Sequence, residues 1–106
     1  MVPWFFAINE SELDEGDKKP LLMEGNKILL LRQEGGFYAI SNKCPHMECP
    51  LSKGDLEGYV IKCPCHDWRF DIRSGEFLDA KEITVPAYET KVDDGKVYVN
   101  LEGEVQ

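Results

Sequence analysis

The chain reads as an all-β domain, and three observations carry that reading. Apolar residues come in short runs or alternate with polar ones, as in "KVYVNL"; Gly, Asp, Asn and Pro punctuate the runs; and the two stretches rich in Cys and His have no helical periodicity. At 106 residues there is length for one domain with one modest core, small enough for a metal site or a disulfide to help hold it together. No linker, low-complexity tract or repeat interrupts it.

In order, "PWFFAI" forms an opening strand, and "NESELDEGDKKP" is an acidic excursion bearing Gly and Pro, with room for at most one helical turn. "NKILLLRQ" and "GFYAIS" make a hairpin around "EGG", whose glycines supply positive φ. After the first Cys/His stretch, "GDLEGYVIKC" is a strand leading directly into the second. "WRFDIRSGEFL" then turns at "RSGE" between two half-apolar strands. In the tail, a "DG" turn separates "YETKV" from "KVYVNL". Both Cys/His stretches therefore fall in loops at strand ends, where a rigid sheet normally presents chemistry.

Twelve Lys and Arg against twenty Asp and Glu give a formal charge of -8, which repels nucleic acid and anionic membranes and suits a basic protein partner. Apolar runs such as "ILLL" at 28–31 are far shorter than the ~20 residues needed to cross a bilayer, so no membrane insertion is expected. The start "MVPWFFAINE" has neither a basic region nor a small-residue cleavage site and reads as a strand rather than a signal peptide. A soluble cytoplasmic protein is expected, a setting that favours thiolate metal sites over disulfides.

All four cysteines and both histidines lie in the two loops: Cys44, His46 and Cys49 in the first, Cys63, Cys65 and His66 in the second. One residue separates Cys44 from His46 and two separate Cys63 from His66, with sixteen residues between His46 and Cys63. One thiolate and one imidazole per loop can hold either a tetrahedral zinc or a binuclear iron-sulfur core. The zinc-finger spacing, with C-x2-4-C ahead of the histidines, describes these residues poorly.

C-x-H, sixteen residues, then C-x-x-H resembles the cluster-binding signature of the Rieske family. The neighbouring letters agree: "CPH" with "PLSKG", then "CHDWRFD" with "SGE", and the flanking strands resemble small soluble Rieske ferredoxins over essentially the whole chain. The resemblance implies a Rieske-type fold of small antiparallel sheets, a single domain over 1–106, and one [2Fe-2S] cluster per chain held by loops around 44–53 and 63–71. In Rieske centres two histidines replace two cysteines on one iron. Carried over, Cys44 and Cys63 bind the inner iron, His46 and His66 the outer one.

Charge explains the mixed ligands. Two ferric ions, two sulfides and two thiolates sum to zero, so the oxidised cluster accepts an electron more readily than a four-thiolate one. Rieske centres span about -150 to +300 mV, against roughly -400 mV for plant-type clusters. Imidazoles on ferric iron lose their second proton more easily than after reduction, so the potential falls as pH rises through that titration.

By the same resemblance, Cys49 and Cys65 match the extra pair that forms a disulfide between the cluster loops of respiratory-type Rieske proteins. Trp68 and Phe70 stand where high-potential members carry serine and tyrosine, and neither supplies a hydroxyl to the cluster, which predicts a low potential. Met47, Leu51 and Pro64 are expected to cover the cluster edge, with "VPAY" at 85–88, including Pro86, closing from a third side. Asp67 replaces a glycine common in the family, which alters the turn there.

No catalytic residue is expected. Both histidines are assigned as ligands, no Gly-rich phosphate loop is present, and Glu10 with Glu12 or Asp93 with Asp94 read as solvated turns. The expected protein is a one-electron carrier, a monomer that docks transiently. Its donor is a flavoprotein reductase or ferredoxin and its acceptor a terminal oxygenase or other oxidoreductase. The alternatives are an electron-transfer subunit related to those of nitrite reductase or arsenite oxidase, and a zinc-stabilised binding module.

Overall fold

The computed structural model describes residues 4–42, 50–64, 68–80 and 82–104. Among the described residues, nine strands form two antiparallel sheets. The larger contains β1 (Trp4–Asn9), β2 (Lys18–Met23), β3 (Asn26–Gln33), β4 (Gly36–Ser41), β8 (Ala87–Asp93) and β9 (Lys96–Glu104), in the order β1-β9-β8-β4-β3-β2. Its edge strands β1 and β2 approach each other, so the sheet curls nearly into a barrel. The smaller sheet is β5 (Asp55–Glu57), β6 (Val60–Lys62) and β7 (Arg69–Asp71), in chain order.

The apolar run of β3 is buried on both faces. Ile28 and Leu30 pack with Ile8, Met23, Phe37, Val97 and Val99, while Leu29 and Leu31 pack with Ile40, Leu51, Ile61, Phe70 and Phe77. A strand covered on both sides reads as a continuous apolar run rather than an alternating one. β4 sorts its residues in the same way, Phe37 and Ala39 to the first core and Ile40 to the second. The second core fastens the small sheet to the large one.

Three hairpins close through two-residue turns in which an acidic residue precedes glycine: Glu24-Gly25, Glu34-Gly35 and Asp94-Gly95, every residue at positive φ. This backbone twist matches that of the flanking strands. The first turn exposes an element missed in the sequence. The segment 18–23, assigned partly to the acidic excursion, is strand β2. It tolerates Pro20 because it lies at a sheet edge. Likewise "GDLEGYVIKC" is two strands, β5 and β6, and the strand expected at "EFL" is replaced by the isolated bridges Phe70 to Phe77 and Glu76 to Thr84. The excursion's one helical turn is a 3-10 turn at Glu10–Glu12, with the Glu12 carboxylate accepting the Asn9 N–H at 2.6 Å. Among the described residues, no helix is long and apolar enough to cross a membrane.

Candidate metal centre

The two loops leave and re-enter the sheets at roots that are tied to one another. The first departs after β4. The Asn42 Oδ1 accepts the Ser52 N–H at 2.7 Å and its Nδ2 donates to Ser52 Oγ at 3.3 Å, so one side chain closes the loop across ten residues. The returning chain forms a 3-10 turn, Leu51–Lys53, with Leu51 wholly buried. The second loop leaves β6 at Cys63 and is closed where the Cys63 N–H donates to the Trp68 carbonyl at 2.6 Å. Val85 and Pro86, from the segment expected to close a third side, are tied to the sheets. The Val85 N–H donates to the Gly75 carbonyl and the Pro86 carbonyl accepts the Ser41 N–H, both at 2.8 Å.

Of the four expected ligands, Cys63 is described, a free thiol with no exposed surface in the core cluster that also contains Leu51, Ile61, Phe70 and Val85. Cys44, His46 and His66 lie outside the described residues, as do Met47, Cys49, Cys65 and Asp67. A soft thiol at a strand end, walled by apolar side chains and opening a short loop, is suited to ligate iron in an iron-sulfur cluster. Of the other expected neighbours, Phe70 is fully buried, Trp68 is half-buried, and Pro64 and Pro86 are exposed. Trp68 stacks on Phe77 with centroids 4.2 Å apart and planes 7° from parallel, and Phe70 lies 5.5 Å from Phe77. The parts missed in the sequence are Asn42, Ser52 and Phe77. Only the letters "PLSKG" and "SGE" hinted at the loop roots.

Charge is distributed unevenly about this centre. Residues 43–86 carry six Lys or Arg and eight Asp or Glu, whereas the remainder carries six and twelve. Much of the excess gathers at the far end of β4. There the Glu10 N–H donates to Gly95 at 2.8 Å, and the Glu15 carboxylate accepts the N–H groups of Glu34 and Gly35, the latter at 3.0 Å. The loop end is thus the more nearly neutral one. On the small sheet, the Arg73 guanidinium lies 4.3 Å from the Tyr59 ring centroid and forms a two-pronged pair with Asp71 at 3.0 and 3.1 Å. The hydrogen bond and charge of Asp71 raise Arg73 above its ordinary pKa. Tyr59 is raised by partial burial and then by Tyr38, with Arg73 opposing.

A curled antiparallel sheet, a small sheet beside it and a buried thiol at the root of a loop define the class as a small antiparallel β domain. The family model for the Rieske [2Fe-2S] domain matches residues 3–98. The chain belongs to that family. Its cofactor class is therefore the Rieske-type [2Fe-2S] cluster, and the zinc-module alternative falls away. The chain is 36% identical over 101 residues to the ferredoxin component of the naphthalene 1,2-dioxygenase system of Pseudomonas putida, covering 94% of this chain and 97% of that one. Among solved structures it is similar to a complex of reduced oxygenase and oxidised ferredoxin in carbazole 1,9a-dioxygenase, with TM-score 0.88, 28% identity and 97% of both chains covered. It is also similar to the ferredoxin of carbazole 1,9a-dioxygenase from Nocardioides aromaticivorans IC177, with TM-score 0.83, 30% identity, and 91% and 95% covered.

One expectation is corrected. The bridge between Cys49 and Cys65, and with it the respiratory-type character, is not upheld: no disulfide is present among the described residues, where Cys63 is a free thiol, and both cysteines of the expected pair lie outside them. The physical need for such a clamp is met otherwise. The loop roots are already held by the Asn42 side chain, the Cys63-to-Trp68 bond and the Ser41-to-Pro86 bond.

Proposed function

We propose that this protein is a ferredoxin that carries single electrons from a flavoprotein reductase, or another ferredoxin, to the terminal oxygenase of a ring-hydroxylating dioxygenase system. The observation that carries this reading is the end-to-end likeness to the ferredoxin component of such a system, 97% of whose length is covered. When bound, the cluster takes up and gives back one electron at a time. The Cys44 and Cys63 thiolates would hold one iron and the His46 and His66 imidazoles the other, within one domain over 1–106 whose cluster loops span about 44–53 and 63–71. Leu51, Phe70 and Val85 exclude water from the Cys63 side, a role supported by their burial. Met47, Pro64, Trp68 and Pro86 complete the rim.

The chain has no substrate chemistry of its own, and it works as a monomer that docks transiently through the loop end. The charge distribution supports that orientation, since partners meet the least acidic part of the molecule. A cytoplasmic location belongs to the same reading, because thiolate ligands are kept available in a reducing compartment.

The test combines iron, zinc and acid-labile sulfide analysis with stopped-flow reduction of a dioxygenase terminal component, using NADH and a flavoprotein reductase. Reddish-brown protein with two irons and two sulfides per chain that speeds this reduction is the expected result. Colourless protein containing zinc, or a cluster that reduces no such acceptor, overturns the proposal.

A further inference from the structure

Gly54 is a glycine for an unusual reason. Its φ of -86° and ψ of -175° are open to any residue, so conformational freedom does not require it. Space does. A Cβ on Gly54 would lie 1.9 Å from the Lys62 carbonyl oxygen, 3.0 Å from the Lys62 carbonyl carbon and 3.3 Å from the Leu51 carbonyl oxygen. The nearest obstacle is backbone, which cannot swing aside as a side chain can. Lys62 is the residue before Cys63, while Gly54 ends the turn on which the first loop returns, its N–H donating to Leu51 at 2.9 Å. Asn42 grips that same turn through Ser52. A continuous joint thus runs from the end of β4 through Asn42, Ser52 and Gly54 to the strand that presents Cys63.

We infer that Gly54, with Asn42, is a positioning residue for the cluster: their contacts set the distance between the first loop and the Cys63 thiolate. The inference rests on the ligand assignment of the proposed function. A methyl group at position 54 pushes the turn off β6 and parts the two loops, leaving the large sheet intact. Loss of the Asn42 side chain frees the same turn without adding any bulk. Groups that orient metal ligands from outside typically contribute about 10- to 100-fold in metal affinity.

The experiment compares the wild-type holoprotein with Gly54→Ala, Asn42→Ala and Gly95→Ala. The last is a control for stability, because Gly95 has φ +75° with nothing within 4 Å of an added Cβ and sits at the end of β8 remote from the loops. Iron per chain, the rate of cluster loss to a chelator, the electron paramagnetic resonance spectrum of the reduced protein and its midpoint potential are read for each. Gly54→Ala and Asn42→Ala should lose cluster about 10-fold faster or more and show shifted resonance and potential. Gly95→Ala should melt earlier with both signals unchanged. If Gly54→Ala does not fold, Asn42→Ala decides alone. Wild-type resonance and retention in the variants that fold, or equal shifts in Gly95→Ala, overturn the joint. A wild-type protein without iron and sulfide would instead overturn the ligand assignment on which the joint depends.

Discussion

Replacing Phe77 with leucine tests how the second loop is held. Phe77 is 7% exposed, and its ring lies parallel to Trp68 at 4.2 Å, beneath the residue whose carbonyl accepts the Cys63 N–H. Leucine keeps an apolar side chain there but removes the stack, which contributes about 0.5–1.5 kcal/mol beyond its buried area. It also removes buried ring carbon, at about 0.8 kcal/mol per methylene equivalent. The combined loss is about 2 kcal/mol, against about 3–5 kcal/mol for Phe77→Ala. In a domain of this size, 2 kcal/mol lowers the melting midpoint by roughly 8–16 °C. The assay is a thermal scan of holoprotein at fixed rate, followed by far-ultraviolet circular dichroism and by the visible absorption of the cluster. The visible signal should fall first, because the stack supports the loop more directly than the large sheet. A cycle with Trp68→Leu should give a coupling of about 1 kcal/mol. Midpoints within about 0.5 kcal/mol of wild type, or substitutions that add to within about 0.3 kcal/mol, would refute the reasoning.

Voltammetry should place the potential near the lower end of the Rieske range, about -150 mV, because Trp68 and Phe70 offer the cluster no hydroxyl. Above the pKa of the oxidised protein the potential should fall by about 59 mV per pH unit, since each electron then brings one proton with it; a pH-independent wave up to strong alkali would count against histidine ligation. Phenolate absorption should show Tyr59 as a late-titrating group among the four tyrosines, absent in Tyr59→Phe. Its pKa is raised in the folded protein, so its contribution to stability is complete below the unfolded value and is lost as pH rises through the folded one. Wild-type and Tyr59→Phe proteins with the same alkaline unfolding profile would contradict that sign. Gly75→Ala should destabilise by about 1–3 kcal/mol in urea melts, because its Cβ would sit 2.1 Å from the Val85 carbonyl oxygen; an unchanged melt would show that the third side yields freely.

What could be read from the sequence followed from patterns local to the chain. "ILLL" announced a strand, and the Asp94-Gly95 pair announced its hairpin, because a two-residue turn demands positive φ whatever surrounds it. β2 was hidden because Pro20 speaks against a strand in general, and only its place at a sheet edge removes the objection. The expected ligands could be named from the sequence because ligand chemistry restricts their types and spacing. The joint beneath them could not. Gly54 looks like any turn glycine until Lys62 is set against it, and Phe77 looks like any core residue until Trp68 stacks on it.

These contacts separate two tasks within one small chain. The contacts that hold the loop roots run mainly through backbone groups: the hydrogen bonds of Cys63 to Trp68, Ser41 to Pro86, Val85 to Gly75 and Gly54 to Leu51, and the close approach of Gly54 to Lys62. Backbone contacts constrain where the loops stand but leave open which side chains surround the cluster. If Trp68 and Phe70 border the cluster as proposed, they can set the polarity around it while the roots keep their spacing, and the potential can be tuned without dismantling the fold. A site that gains and loses charge at each turnover benefits from that division, because groups already fixed in place need little rearrangement when the electron arrives. The acidic end of the sheet, held by Glu15 and by the turns at Glu34 and Asp94, can carry most of the net charge without pressing it on the cluster. Burying charge beside the loops, for example with Val85→Glu, would undo this separation, whereas an added carboxylate at an exposed turn of the far end would not.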